Sequence, residues 1–168
     1  MDRFDDVDRD KVISEIEKAL QIKLTKVGRR RKYLQDQNGV RYCIFGGDDW
    51  HGLPEDVVTA ELSKDYSSKI VVASKLTGRI DLFMGELKKL IEGKSALSFT
   101  KDSQYVFKVR KAGQSLVVNE VPSCSLEKIF SFQYLSNDKQ EAKTVKDIKK
   151  LVSGLSPKDL EDLLRRAE

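Results

Sequence analysis

Arg31-Lys32-Tyr33-Leu34-Gln35-Asp36-Gln37-Asn38-Gly39-Val40-Arg41-Tyr42-Cys43-Ile44-Phe45 holds the clearest structural signal in the chain. Asn38-Gly39 separates two strand-like runs, 31–37 and 40–45. Both central residues of a type I′ turn need positive φ, which Asn and Gly tolerate, so the pair predicts a two-residue hairpin. That turn sets a register, with Gln37 opposite Val40, Asp36 opposite Arg41, Gln35 opposite Tyr42 and Leu34 opposite Cys43. Asp36 facing Arg41 is a favourable cross-strand charge pair.

Two more hairpins follow along the chain. Lys69-Ile70-Val71-Val72-Ala73 is rich in β-branched residues, and Thr77-Gly78 turns it back into 79–84. Val72 then faces Phe83 and Val71 faces Met84. Both faces of this pair are apolar, which places it centrally in a sheet covered on both sides. Ile80, Phe83, Met84, Leu87, Leu90 and Ile91 also fit helical spacing, so a single helix through 79–91 competes with strand 79–84 followed by helix 86–93. Further on, Tyr105, Phe107 and Val109 alternate with Val106, Lys108 and Arg110, and the run 115–121 returns after Gly113. Residues 125–134 form an apolar element of undecided type.

Helices fill most of the remaining chain. Ile13, Ile16 and Leu20 recur at helical spacing over 9–20, with Asp8 as an N-cap. Pro54 suits the first position of a helix over 54–63 that buries Val57, Val58 and Leu62. At the end, 144–153 stops at Gly154, and Ser156-Pro157 opens a last helix. The expected fold class is α+β: a mainly antiparallel sheet of about three hairpins, an N-terminal helix, one or two inserted helices and two C-terminal helices. One domain over 1–168 is expected, with 143–168 able to stand apart as a helical extension.

Composition narrows the function classes. Charged residues make up 35% of the 168 residues, with both signs interspersed, and the formal net charge is only +4. A chain of this length builds its core without disulfides or metal. The two cysteines, Cys43 and Cys124, have no CxxC partner, and His51 is the lone histidine. Zinc and redox chemistry fail on count, and no cofactor is expected. Cys43 lies in an apolar run and reads as a buried free thiol. The acidic N-terminus is no secretory signal, and no apolar stretch reaches the length of a membrane span. The expected compartment is the cytoplasm.

Two places carry chemistry. Lys23, Lys26, Arg29, Arg30, Arg31 and Lys32 run without an acid until Asp36, and Arg41 follows. Such groups neutralise phosphate, and Tyr33 and Tyr42 are near enough in sequence to stack on bases. The bland alternative is a solvated strand edge guarded by arginine. Lys108, Arg110 and Lys111 form a second basic patch, which merges with the first only if the two hairpins are neighbours in the sheet.

The other place is Asp48-Asp49-Trp50-His51 between glycines. Asp48, Asp49 and His51 could share general acid–base work or hold a divalent ion. The plainer reading closes a turn with an aspartate and caps the core with Trp50. A restriction-type nuclease would need an acid on one strand and an acid-x-Lys triplet on the next. Glu86-Leu87-Lys88 follows Asp81 too closely, and two other triplets fit as well, so the match is by chance.

The leading expectation is a non-enzymatic module contacting DNA, RNA or a nucleic-acid-processing protein, through Arg29, Arg30, Arg31, Lys32, Tyr33, Arg41, Lys108 and Arg110. A metal-assisted hydrolase at Asp48, Asp49 and His51 is second. A protein-interaction module or homo-oligomer using the C-terminal helices is third.

Overall fold

Two long strands, β5 (Ser68–Leu76) and β6 (Arg79–Glu86), form the middle of the sheet in the computed structural model. They pair in the expected register, with Val72 opposite Phe83 and Val71 opposite Met84. Gly78 takes the turn with φ of 76°. Helix α3 (Leu87–Glu92) starts where the strand ends, so strand-then-helix is the arrangement of 79–92. The structure describes residues 6–47, 50–63 and 67–134. The chain divides after Gln133 into two compact units, and the sheet belongs to the first.

Eight shorter or more peripheral strands complete the described sheet: β1 (Thr25–Lys26), β2 (Tyr33–Gln35), β3 (Arg41–Gly46), β4 (Trp50–Pro54), β7 (Ser98–Phe99), β8 (Gln104–Ala112), β9 (Ser115–Val118) and β10 (Ser125–Gln133). The order is β1-β2-β3-β5-β6-β10-β9-β8-β4, and β7 joins β8 off that path. The expected mainly antiparallel α+β fold of three hairpins is therefore corrected to one mixed, ten-stranded sheet among the described residues. Its parallel element is β3 beside β5, with Cys43 aligned with Ile70 and Phe45 with Val72. A parallel pair needs a crossover. Here β4 and α2 (Glu55–Leu62) provide it, leaving β3 before the chain returns as β5. The two expected C-terminal helices, and the extension over 143–168, lie outside the described residues. Residues 125–134, undecided from sequence, supply β10 between β6 and β9.

The hairpin at Asn38-Gly39 forms, but not as a type I′ turn. Only Gly39 has positive φ, at 82°. The Gly39 N–H donates to the Asp36 carbonyl, and the Asp36 N–H donates to the Val40 carbonyl. This is a turn closed by a glycine bulge, the next most common hairpin loop. The observed register is slipped by one residue from the expected one: Tyr33 faces Cys43, Leu34 faces Tyr42 and Gln35 faces Arg41. The Asp36 side chain decides the difference. Its Oδ1 accepts from the Asn38 N–H at 2.8 Å and the Val40 N–H at 2.9 Å. The carboxylate is spent on the turn and makes no cross-strand pair with Arg41.

Side-chain alternation sorts the sheet into two faces. One face carries Cys43, Phe45, Ile70, Val72, Phe83, Phe107, Leu116, Val118 and Leu126 into the main core, with Val57 and Val58 from α2 and Leu87, Leu90 and Ile91 from α3. On the other face, Ile44, Val71, Ala73, Ile80 and Leu82 are fully buried, as are Val12 and Ile16 of helix α1 (Asp6–Leu20). Asp8 of α1 pins the helix to that face through Lys75, at 2.9 Å. Asp8 is thus inside the helix and ion-paired, not an N-cap. Pro54 ends β4 and precedes α2 rather than opening it, and Leu62, expected inside, is exposed. Both thiols are free and buried, as expected for Cys43.

Candidate nucleic-acid interface

The basic run separates once it is folded. Arg30 leaves its loop to grip Asp56 at the start of α2, with Nε 2.8 Å from Oδ2 and Nη2 2.5 Å from Oδ1. Lys32 holds its ammonium 5.8 Å from the centre of the Phe45 ring, and desolvation together with the Arg9 charge lowers its pKa. Arg29 and Arg31 keep exposed side chains.

Tyr33 and Arg41 do not reach the surface. Tyr33 is 4% exposed, and its hydroxyl donates to Glu61. Arg41 donates from Nη1 to the Tyr33 hydroxyl at 3.1 Å and from Nε to Gln35 at 3.1 Å. Ser68 donates to the other Glu61 oxygen at 2.5 Å. These groups tie β2, β3, β5 and α2 together around one buried carboxylate. Tyr42 is buried too, with its hydroxyl 3.3 Å from Asp36. Neither tyrosine offers a ring face to a base. They are apolar-faced residues on a covered strand pair, and the covering is set by tertiary contacts that local sequence does not display.

The second patch lies elsewhere in the sheet. β3, β5, β6, β10 and β9 stand between β2 and β8, so the two hairpins are not neighbours. On β8 the parity is plain: Phe107 and Val109 point into the core, and Lys108 and Arg110 point out and are exposed. β4 pairs with β8 so that Trp50 stands opposite Lys108 and Gly52 opposite Val106. Trp50 is 61% exposed, which overturns the reading of it as a cap on the core. Gln104 shares this outward row, and its amide lies across Gly52, where an added Cβ would strike it. Trp50, Gln104, Lys108 and Arg110 thus form one outward strip. α1 is tied to β5 through Asp8 and Lys75, whereas Lys108 and Arg110 on β8 are exposed to water.

Carboxylates bound the strip on its β9 and β10 side. Glu120 accepts from the Lys108 backbone N–H at 3.0 Å, and Glu127 accepts from the hydroxyls of Ser115 and Ser125 at 2.7 and 3.2 Å. Only the alternation that exposes Lys108 and Arg110 was legible in sequence as a pattern. That Trp50 shares their face follows from a long-range pairing.

His51, next on β4, has the opposite parity. Its ring sits 5.5 Å from Phe45 and 5.2 Å from Phe107, with the residue 4% exposed. Asp48 and Asp49 lie outside the described residues. Among the described residues, no group of three or more His, Cys, Asp or Glu could hold a metal ion. Asp81 and Glu86 both lie on β6. Five residues of one strand span about 17 Å, too far for one metal. Asp81 is instead held by Lys128 at 3.1 Å and by Arg79 at 3.2 Å. No helix among the described residues is long and apolar enough to cross a membrane.

Comparison with family models, with curated proteins and with solved structures finds no match to this chain.

Proposed function

We propose that this domain is a non-enzymatic binding module for nucleic acid, whose contact surface is the outward strip of β4 and β8. The observation that carries the reading is Trp50, exposed on a paired strand and held in register opposite Lys108. An exposed indole beside two cations joins the two elements such a surface needs: a flat apolar face for bases and positive charge for phosphate. The strand backbone fixes their spacing, so binding has to order side chains but no loop. Lys108 and Arg110 are two residues apart on one face, about 7 Å along the strand. Arg29 and Arg31 sit on the loop whose Arg30 is anchored at Asp56, two residues past the end of β4.

Trp50 is the sole tryptophan, so its fluorescence reports directly on the surface. Titration with mixed-sequence oligonucleotides at low salt should change the emission, and the affinity should fall as salt rises. Replacing Lys108 and Arg110 by Gln should weaken binding and flatten the salt slope by roughly 0.7 to 0.9 per lost phosphate contact. Absence of any binding at low salt would sink the reading.

A further inference from the structure

We infer that the nucleic acid this strip takes is single-stranded, with an unpaired base stacked on Trp50 and adjacent phosphates on Lys108 and Arg110; the inference rests on the nucleic-acid-binding function proposed for the strip. Shape is the first reason. A two-stranded ribbon can enter a duplex major groove, but only when it protrudes. Among the described residues β8 pairs with β4 over 104–108 on one side, and with β7 over 105–106 and β9 over 109–112 on the other. Its outward row lies within the surface of a broad sheet, which cannot enter a groove.

The indole is the second reason. In a duplex each base face is covered by its neighbours, and wedging a side chain between them costs unstacking. An unpaired base offers its face at no such cost. Gln104 is the third. Its amide lies on the same row as Lys108, two positions beyond Val106. It carries both donors and an acceptor, suited to a base edge freed from pairing. Glu120 and Glu127 close the side toward β9 and β10 with negative charge. The strand must therefore run along β4 and β8 rather than across the sheet.

The test uses the full chain, a short mixed-sequence DNA oligonucleotide, an RNA of the same sequence, the matching duplex and polyglutamate. Trp50 emission and the anisotropy of labelled ligands are followed at low salt. The single strands should quench the indole and bind about ten-fold or more tighter than the duplex, and Trp50→Ala should cost about ten-fold in single-strand affinity, with Trp50→Phe recovering part of it. Circular dichroism should show all variants folded. Equal affinity and quenching with the duplex would overturn the single-strand inference while leaving nucleic-acid binding in place. Undiminished single-strand binding by folded Trp50→Ala would overturn the stacking. Tighter binding to polyglutamate than to either nucleic acid would make this an acidic-protein surface and overturn both proposals, as would absence of binding to all four.

Discussion

The Arg41 guanidinium lies 3.7 Å from the Glu61 carboxylate, and both side chains are nearly out of water. Glu61 also takes hydroxyl hydrogen bonds from Tyr33 and Ser68. Breaking such a pair strands a buried charge. Glu61→Ala should lower stability by about 3 kcal/mol or more, seen as a fall in the urea midpoint. Glu61→Gln, which keeps an acceptor, should lose less. Arg41 variants should likewise report on folding rather than on ligand. A midpoint unchanged in Glu61→Ala would refute the structural role of this network.

The turn at 36–40 yields a second expectation. Asp36→Ala removes the acceptor for two backbone N–H groups, which should cost about 1–3 kcal/mol. Gly39→Val forces a β-branched residue to φ of 82°, at about 1 kcal/mol or more. Because both act on one turn, the double variant should lose less than the sum. Additive losses in chemical denaturation would argue against a shared turn.

Acid should loosen the β6–β10 pair. Burial pushes the Asp81 pKa up, but the Ser131 hydroxyl, Lys128 and Arg79 together outweigh it, and the net pKa is lowered from 3.8. A carboxyl depressed in the folded state stabilises fully above its unfolded pKa and loses that contribution as pH falls through the folded one. Melting temperature should therefore fall below about pH 4. Asp81→Asn should show a shallower acid limb. Superimposable pH profiles for parent and variant would clear Asp81 of any part in the acid response.

The indole's neighbourhood can be read without any ligand. Iodide should quench Trp50 more efficiently than caesium once each is scaled to its quenching of a free neutral tryptophan analogue, because Lys108 and Arg110 concentrate anions beside the indole. Lys108→Gln should narrow the difference, and raised ionic strength should abolish most of it. Equal scaled quenching by both ions in the parent would place the cations too far away to serve the same ligand.

The thiols should be inert in the native protein. Burial pushes Cys124 up to about 11 and Cys43 further still. The thiolate is the reactive form. A disulfide reagent should modify both only as fast as the chain opens, and addition of denaturant should accelerate the reaction sharply. Rapid stoichiometric labelling of folded protein would contradict the burial.

Legibility from sequence followed the range of the interaction. The β5–β6 register could be read from β-branched runs and Thr77-Gly78, which are local, but the helical spacing of 80–91 left the second strand open to a helix, and β6 runs two residues past the expected end. Asn38-Gly39 announced a hairpin correctly, but two turn types accept that dipeptide, and the choice lay with the Asp36 carboxylate. The parallel β3–β5 pair and the edge position of β4 depend on contacts between distant segments, and no local pattern encodes them. The same holds for the site. Lys108 and Arg110 were marked by alternation, whereas Tyr33 and Arg41 were drawn inside by Glu61, and Trp50 was turned outward by pairing with β8.

The pairing of β4 with β8 also sets an order in time. As the chain emerges from synthesis, β3, β5 and β6 can associate as soon as Glu86 is available, but β4 has no partner until residues 104–108 follow. Until then the inward side chains of β4, His51 and Leu53, lack the wall formed by Phe107. Contacts between such distant segments slow folding, because the intervening loop must close before they stabilise anything. The half-made chain therefore carries an unpaired apolar strand, and that interval is when it is most exposed to aggregation or to capture by a chaperone.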